Sequence, residues 1–196
     1  GVALFFGLRE VGKQLFSGND RFRIRNLIIR TDERAMIGEG LIREYIEISE
    51  GMNLFSPDIN REREKFLSRT PNVRSVEITR YLPDTMELVV SERIPLACVQ
   101  QKRKPDLCVD DRGWVFPSRV RQMDLPVISG QSATLKAGAR AEGLVKDAVV
   151  LLDTIRKMPA VADIVVTGVN VKGGFEGRAD ALRVQLSENT IVDLWW

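Results

Sequence analysis

Val73-Arg74-Ser75-Val76-Glu77-Ile78-Thr79-Arg80-Tyr81-Leu82-Pro83-Asp84-Thr85-Met86-Glu87-Leu88-Val89-Val90 is the stretch that decides the fold. Val76 and Ile78 alternate with Glu77 and Thr79, so one face of the segment is apolar and the other polar, the signature of a half-buried strand. Pro83-Asp84 interrupts the pattern with turn chemistry, because proline pre-sets its backbone angle. Met86, Leu88 and Val90 then line one face of a returning strand. The segment is a β-hairpin.

Upstream of this hairpin the pattern is helical. Ser56-Pro57-Asp58 reads as a helix start: Ser56 is expected to cap free amides, Pro57 to occupy the first helical position and Asp58 to favour the positive dipole end. Ile59, Phe66 and Leu67 form that helix's buried side, and Thr70-Pro71-Asn72 ends it. Before it, Leu41, Ile42, Tyr45 and Ile46 lie at helical spacing on one face of a shorter helix closed by Gly51. Earlier still, Phe22-Arg23-Ile24-Arg25 alternates and the apolar residues resume at Leu27 and Ile29, a strand with a frame shift. The order is strand, helix, helix, strand, strand, which suits an α+β unit of about 70 residues with two helices on one sheet face.

Downstream of Ile94-Pro95 the chain turns to short strands. Leu96–Gln100 and Leu107–Asp110 read as a hairpin around Lys104-Pro105-Asp106. Asp111-Arg112-Gly113 leads to Trp114-Val115-Phe116, and Leu125–Ile128 precedes Gly130. One helix is expected over Gly143–Met158, with Leu144, Val145, Ala148, Val149, Leu152 and Ile155 as its stripe and Pro159 as its stop. Strands resume at Asp163–Val171, Leu182–Leu186 and Thr190–Trp196. This second unit reads as a mainly antiparallel β-domain with one long helix.

Composition narrows the function. With 196 residues, 44% hydrophobic and 29% charged, the chain is an ordinary globular one with room for two small domains. Its 29 basic and 27 acidic residues are interleaved, and Lys102-Arg103-Lys104 is the densest basic run. That triplet reads as a solvated loop, not the stripe that phosphate binding needs. The absence of histidine removes Ser-His-Asp and Cys-His catalysis and histidine metal ligation. Two cysteines are too few for a structural zinc site, and no phosphate-binding glycine loop occurs. The sequence shows no recognisable catalytic equipment, and no enzyme, cofactor, small-molecule substrate or nucleic-acid partner is expected. Val2-Ala3-Leu4-Phe5-Phe6 is an apolar run far short of the roughly 20 residues that cross a bilayer. It reads either as the first turn of a core helix or as the end of a membrane helix.

A set of short motifs then carries a family likeness. Phe22-Arg-Ile-Arg25, Gly51-Met-Asn-Leu-Phe55, Pro71-Asn-Val73, Ile78-Thr-Arg-Tyr-Leu-Pro83, Ser91-Glu-Arg-Ile-Pro95, Val109-Asp-Asp-Arg-Gly113, Val115-Phe116 and Leu125-Pro126 occur in this order. The ordered set resembles the bacterial FtsQ/DivIB family. The likeness covers residues 22–130 well, and 131–196 in element order alone. It implies residues 1–21 as the end of a transmembrane helix and juxtamembrane segment, 22–93 as a POTRA domain, and 94–196 as an FtsQ-type β-domain. It also implies a single-pass protein of the inner membrane, this region lying outside the cytoplasm at the division septum. Its role would be a non-enzymatic scaffold binding FtsB and FtsL. A POTRA domain alone would equally suit a component of outer-membrane protein assembly or secretion.

The motif residues Gly51, Asn53, Leu54, Phe55, Arg80, Pro83, Glu92, Arg93, Pro95, Asp110, Gly113 and Phe116 are expected to be architectural. Gly51 would permit a conformation or approach closed to a side chain, and Leu54 and Phe55 would fill the POTRA core. Glu92-Arg93 reads as a bridge between the two domains or as a solvated pair. Cys98 and Cys108 lie symmetrically about the expected hairpin and read either as a disulfide or as two buried thiols. Binding is expected at sheet edges, where unpaired backbone groups accept a partner strand. FtsQ relatives end in a further helix and a strand with an Asp-Leu-Arg-Tyr-like run. Asp193-Leu194-Trp195-Trp196 begins like that run but aligns better with the preceding strand, so the chain is either truncated or lacks that element. Trp195 and Trp196 read either as interface anchors or as strand-face core residues.

Overall fold

The computed structural model describes residues 19–32, 35–101, 107–118, 125–161, 163–173, 181–187 and 190–195. The chain divides into two compact units, with the division between Glu92 and Arg93.

In the first unit, β1 (Asn26–Thr31) is followed by α1 (Glu39–Tyr45), α2 (Ile59–Arg69), β2 (Val73–Tyr81) and β3 (Thr85–Glu92). The three strands form a sheet in the order β1-β3-β2. β2 and β3 are the antiparallel hairpin, with Val76 opposite Val90 and Ile78 opposite Leu88. β1 lies parallel to β3 on its other side, Leu27 opposite Met86. β3 is central because it has the strictest alternation: Met86, Leu88 and Val90 are all fully buried. They pack with Ile42, Leu54 and Phe66 in a single apolar cluster.

Three local expectations need correction. Phe22–Arg25 is not a strand: Asp20–Phe22 forms a short 3-10 turn capped by Asn19, and Arg23 makes one isolated bridge to Asn53. The α2 cap is Asp58, not Ser56; its Oδ1 accepts from the amides of Asn60 and Arg61 at 3.1 and 3.2 Å. Ser56 instead donates its hydroxyl to the Asn53 carbonyl. Leu41, expected on the buried face of α1, is 41% exposed, whereas Ile42 is fully buried. A seven-residue helix has room for only one inward row, and Ile42 and Ile46 supply it.

The second unit is a seven-stranded sheet in the order β10-β9-β8-β7-β4-β5-β6. Its strands are β4 (Ala97–Val99), β5 (Leu107–Val109), β6 (Val115–Pro117), β7 (Val127–Ser129), β8 (Val166–Asn170), β9 (Leu182–Leu186) and β10 (Ile191–Leu194). Helix α3 (Gly143–Lys157) connects β7 to β8. β7 and β8 are parallel neighbours, so this helix is the crossover that parallel strands require. β7 is also parallel to β4, and the other neighbours are antiparallel.

One face of this sheet is covered by α3. Val145, Ala148, Val149 and Leu152 pack there against Ala97, Val99, Val109, Ile128 and Val169. The alternating residues emerge on the opposite face, where Cys98, Cys108 and Phe116 form a small apolar cluster with Leu125. The expected turn at Lys104-Pro105-Asp106 and the basic run beside it lie outside the described residues. So do the N-terminal apolar run and Trp196. Among the described residues no helix is long and apolar enough to cross a membrane.

Two glycines meet different demands. Gly51 has φ +88° with nothing within 4 Å of where a Cβ would stand, so only its backbone conformation selects glycine. Gly130 has φ +86°, and a Cβ there would lie 2.4 Å from Asn170 Oδ1 and 2.9 Å from the Lys172 amide. Those two atoms are themselves hydrogen-bonded, which limits how far either can retreat. Gly51→Ala should cost about 1 kcal/mol through the left-handed backbone alone. Gly130→Ala should cost roughly 2 kcal/mol more, by adding a clash to that strain. Urea denaturation of the two variants checks the order, and equal costs would contradict this account.

Candidate partner-binding edge and its supporting motifs

In the first unit the motif residues fix the loop before α2. The Gly51 amide donates to the Ile24 carbonyl at 2.8 Å, and Asn53 Oδ1 accepts from the Phe55 amide at 2.9 Å. Arg80 reaches across from β2, donating to the carbonyls of Leu54 (2.8 Å) and Pro57 (2.7 Å). Burial pushes the Arg80 guanidinium down from its ordinary value, opposed by the nearby charge of Asp58. Leu54 is fully buried as expected. Phe55 is not: it is 39% exposed, edge-to-face against Phe22 at 5.4 Å, with the Arg80 guanidinium 5.9 Å above its ring. Leu54 and Phe55 are the two central residues of a turn closed by the Ser56 amide on the Asn53 carbonyl (3.0 Å), and of the two Leu54 is the one that enters the core. Pro83 follows a cis peptide bond in the β2–β3 turn.

Glu92 and Arg93, adjacent in sequence, serve different units. Glu92 accepts from the Met36 and Ile37 amides, both at 2.8 Å, and from Asn72 Nδ2 at 3.1 Å. It closes the end of β3 within the first unit. Arg93 donates to Asp110 Oδ2 at 2.7 Å, and its guanidinium lies 4.9 Å from the Trp114 ring centre. Asp110 is fully buried, and its Oδ1 accepts from the amides of Arg112 (3.0 Å) and Trp114 (2.8 Å). Gly113, at φ +77°, closes this turn by donating to the Asp110 carbonyl. Asp110 therefore organises the β5–β6 turn, and Arg93 neutralises it. Pro95 is half-buried, and Phe116 is buried.

The four sheet ends differ in how their backbone is satisfied. The outer side of β6 is covered: Val115 donates to the Ala139 carbonyl, Gly138 to the Val115 carbonyl, and Trp114 bridges Arg140. β1 is guarded at Leu27, whose amide faces Glu50 Oε1 (3.4 Å) and whose carbonyl accepts from Arg43 (3.3 Å). β2 carries Arg74, Glu77 and Arg80 along its length, the charged residues that discourage strand addition. Among the described residues β10 has neither cover nor such a run of charge. Ile191 is 59% exposed and Val192 37%, and Trp195, just beyond the strand, is 45% exposed.

β10 is nonetheless firmly part of the sheet. Arg183 on β9 grips Asp193 with two hydrogen bonds, 2.8 and 2.7 Å. Those bonds, aided by the charge of Arg183, hold the Asp193 carboxyl below its usual range against the opposing effect of desolvation. Beside this pair, on the face opposite α3, a shallow groove of about 420 Å³ is lined by Gln100, Ser129, Thr167, Asn170 and Gln185. Among the described residues no group of three or more His, Cys, Asp or Glu side chains is placed to hold a metal ion. The signal missed in the sequence was the Arg183/Asp193 pair, whose register could be read only once β9 and β10 were paired.

Removing Arg93 leaves a buried carboxylate facing no cation. Arg93→Ala should destabilise the second unit by about 3 kcal/mol. Asp110→Asn should cost less, since its amide oxygen can still accept from Arg112 and Trp114. Chemical denaturation followed by Trp114 fluorescence measures both, and an Arg93→Ala cost near zero would contradict this role.

Comparison with known proteins agrees with this architecture. The FtsQ-type POTRA domain family matches residues 22–93. The chain is 30% identical over 159 residues to the cell division protein FtsQ of Syntrophotalea carbinolica, covering 78% of this chain and 54% of that protein. It is 32% identical over 111 residues to FtsQ of Neisseria gonorrhoeae, covering 57% and 41%. With FtsQ of Geobacter sp. strain M21 it shares 27% over 161 residues, covering 80% and 58%. The chain thus spans about half the length of the curated relatives it matches. It belongs to the FtsQ family of cell division proteins, with an FtsQ-type POTRA domain at residues 22–93.

Proposed function

We propose that this chain is the extracytoplasmic part of a division scaffold, anchored in the inner membrane by a single N-terminal helix. It binds membrane proteins of the FtsB/FtsL kind by strand addition and carries out no catalysis. The observation that carries this reading is β10, an apolar edge with no strand on its outer side among the described residues. An uncovered edge presents amides and carbonyls that a partner strand can satisfy, and pockets beside it select the partner's side chains. Ile191 and Val192 supply apolar contact there, Trp195 is an aromatic anchor, and the polar groove beside Arg183 and Asp193 receives polar side chains. The FtsQ membership favours division partners over the outer-membrane assembly role that a POTRA domain alone would allow.

The test places a photoreactive amino acid at Ile191 in the full-length protein in cells, with a second at Glu64 on α2 as control. Crosslinks from position 191, and not from 64, to small single-pass division proteins are expected. Crosslinks to barrel-assembly proteins, crosslinks only within the protein's own chain, or none at all would each overturn the reading.

A further inference from the structure

Cys98 and Cys108 stand directly opposite each other on β4 and β5. The Cys98 amide donates to the Pro126 carbonyl and the Gln100 amide to the Ile128 carbonyl, so at these two residues the backbone of β4 turns toward β7. Cys98 and Cys108 are therefore a non-hydrogen-bonded antiparallel pair. Such pairs bring the two Cα atoms to about 4.5 Å, within the span a disulfide bridges. Both side chains emerge on the face opposite α3, and their sulfurs lie 3.5 Å apart. Cys98 is 2% exposed and Cys108 not at all, packed with Phe116, which sits opposite Cys108 on β6. These are the only cysteines in the chain, so no competing intramolecular pairing exists.

The geometry assigns Cys98 and Cys108 as an oxidation site that closes into one cross-strand disulfide. The oxidant is a thiol–disulfide exchange agent, a protein or small molecule carrying its own S–S bond. The thiolate of one cysteine attacks that bond, forming a mixed disulfide and releasing one oxidant thiol. The second cysteine attacks the mixed disulfide, the Cys98–Cys108 bond forms, and the second oxidant thiol leaves. Two protons and two electrons pass to the oxidant, which is reduced to two thiols. Burial in the finished sheet keeps an oxidant from reaching either sulfur, so the exchange belongs to the folding chain and the bond is shielded afterwards. The bond ties β4 to β5 and closes a short loop that restricts the unfolded chain. Its persistence in the cell rests on the extracytoplasmic placement proposed above, where disulfides survive. Its formation in vitro does not.

The test refolds the whole chain in a buffer of oxidised and reduced glutathione, blocks thiols with an alkylating agent under denaturing conditions, and weighs the product. The expected product is lighter than the reduced chain by two hydrogens and carries neither an alkyl group nor glutathione. Alkyl groups on one or both cysteines, or retained glutathione, would overturn the assignment. In parallel, oxidation should raise the melting temperature of the wild-type chain and leave that of the Cys98→Ala/Cys108→Ala variant unchanged. An equal response in both would refute it. Neither readout involves a partner, so a failed crosslink at Ile191 and a failed oxidation are separate results.

Discussion

A strand at the end of a sheet has amides and carbonyls with no neighbour, and each must find water, a side chain, another segment or another protein. The structure meets this constraint in a different way at each end. At β6 the residues 138–140 fold back and supply backbone partners. At β1 two side chains, Glu50 and Arg43, serve the amide and carbonyl of Leu27. At β2 charge along the strand opposes pairing. At β10 none of these devices is present among the described residues. An uncovered edge carrying apolar residues is a hazard in a protein with no use for it, because it templates non-specific pairing. Its position beside the Arg183–Asp193 ion pair favours the strand addition proposed for this edge.

The first unit was legible because its decisive signals are local. The β2–β3 hairpin is written in the alternation of Val76 and Ile78 with Glu77 and Thr79, and in Pro83 between the strands. The FtsQ likeness rested on short motifs that prove to be hydrogen-bonding devices: Gly51 and Asn53 shape a loop, Arg80 ties that loop to β2, and Asp110 with Gly113 builds a turn. What the sequence hid is what depends on distant partners. The helix cap moved from Ser56 to Asp58 because Ser56 was claimed by the Asn53 carbonyl. Phe55 left the expected core because Leu54 occupies it and Phe22 and Arg80 offer a perch outside. The parallel neighbours of β7 come from a helix crossover and from a return past a hairpin, and a strand of three residues, Val127-Ile128-Ser129, carries no mark of direction.

Glu92 and Arg93 show how a charged dipeptide can mislead when it is read as a unit. Opposite charges side by side suggest an ion pair, but an extended backbone sends successive side chains to opposite sides. Glu92 is consumed by amides of the loop before α1, and Arg93 by the buried Asp110. Each charge is therefore a local fastening, one ending a strand and one completing a turn. The energetic weights differ. Glu92 is a partly exposed acceptor whose loss admits water, whereas Arg93 faces a carboxylate with no solvent contact, and removing one partner of such a pair costs far more than the pair itself contributes.

The Arg183–Asp193 pair holds β10 in place on β9. An edge strand that frayed would have to be ordered before a partner could add to it, and that entropy would be subtracted from the binding energy. Two parallel hydrogen bonds between guanidinium and carboxylate hold β10 in register with β9 beforehand. Because the folded Asp193 carboxyl sits below its unfolded value, this fastening is fully present above the ordinary carboxylate range and is lost only as pH falls through the depressed folded value. At neutral pH the strand is therefore already in place, with its inner side committed to β9 and no strand on its outer side among the described residues. Arg183 of this pair also lines the groove, together with neutral polar side chains and the apolar Val127 and Ile191.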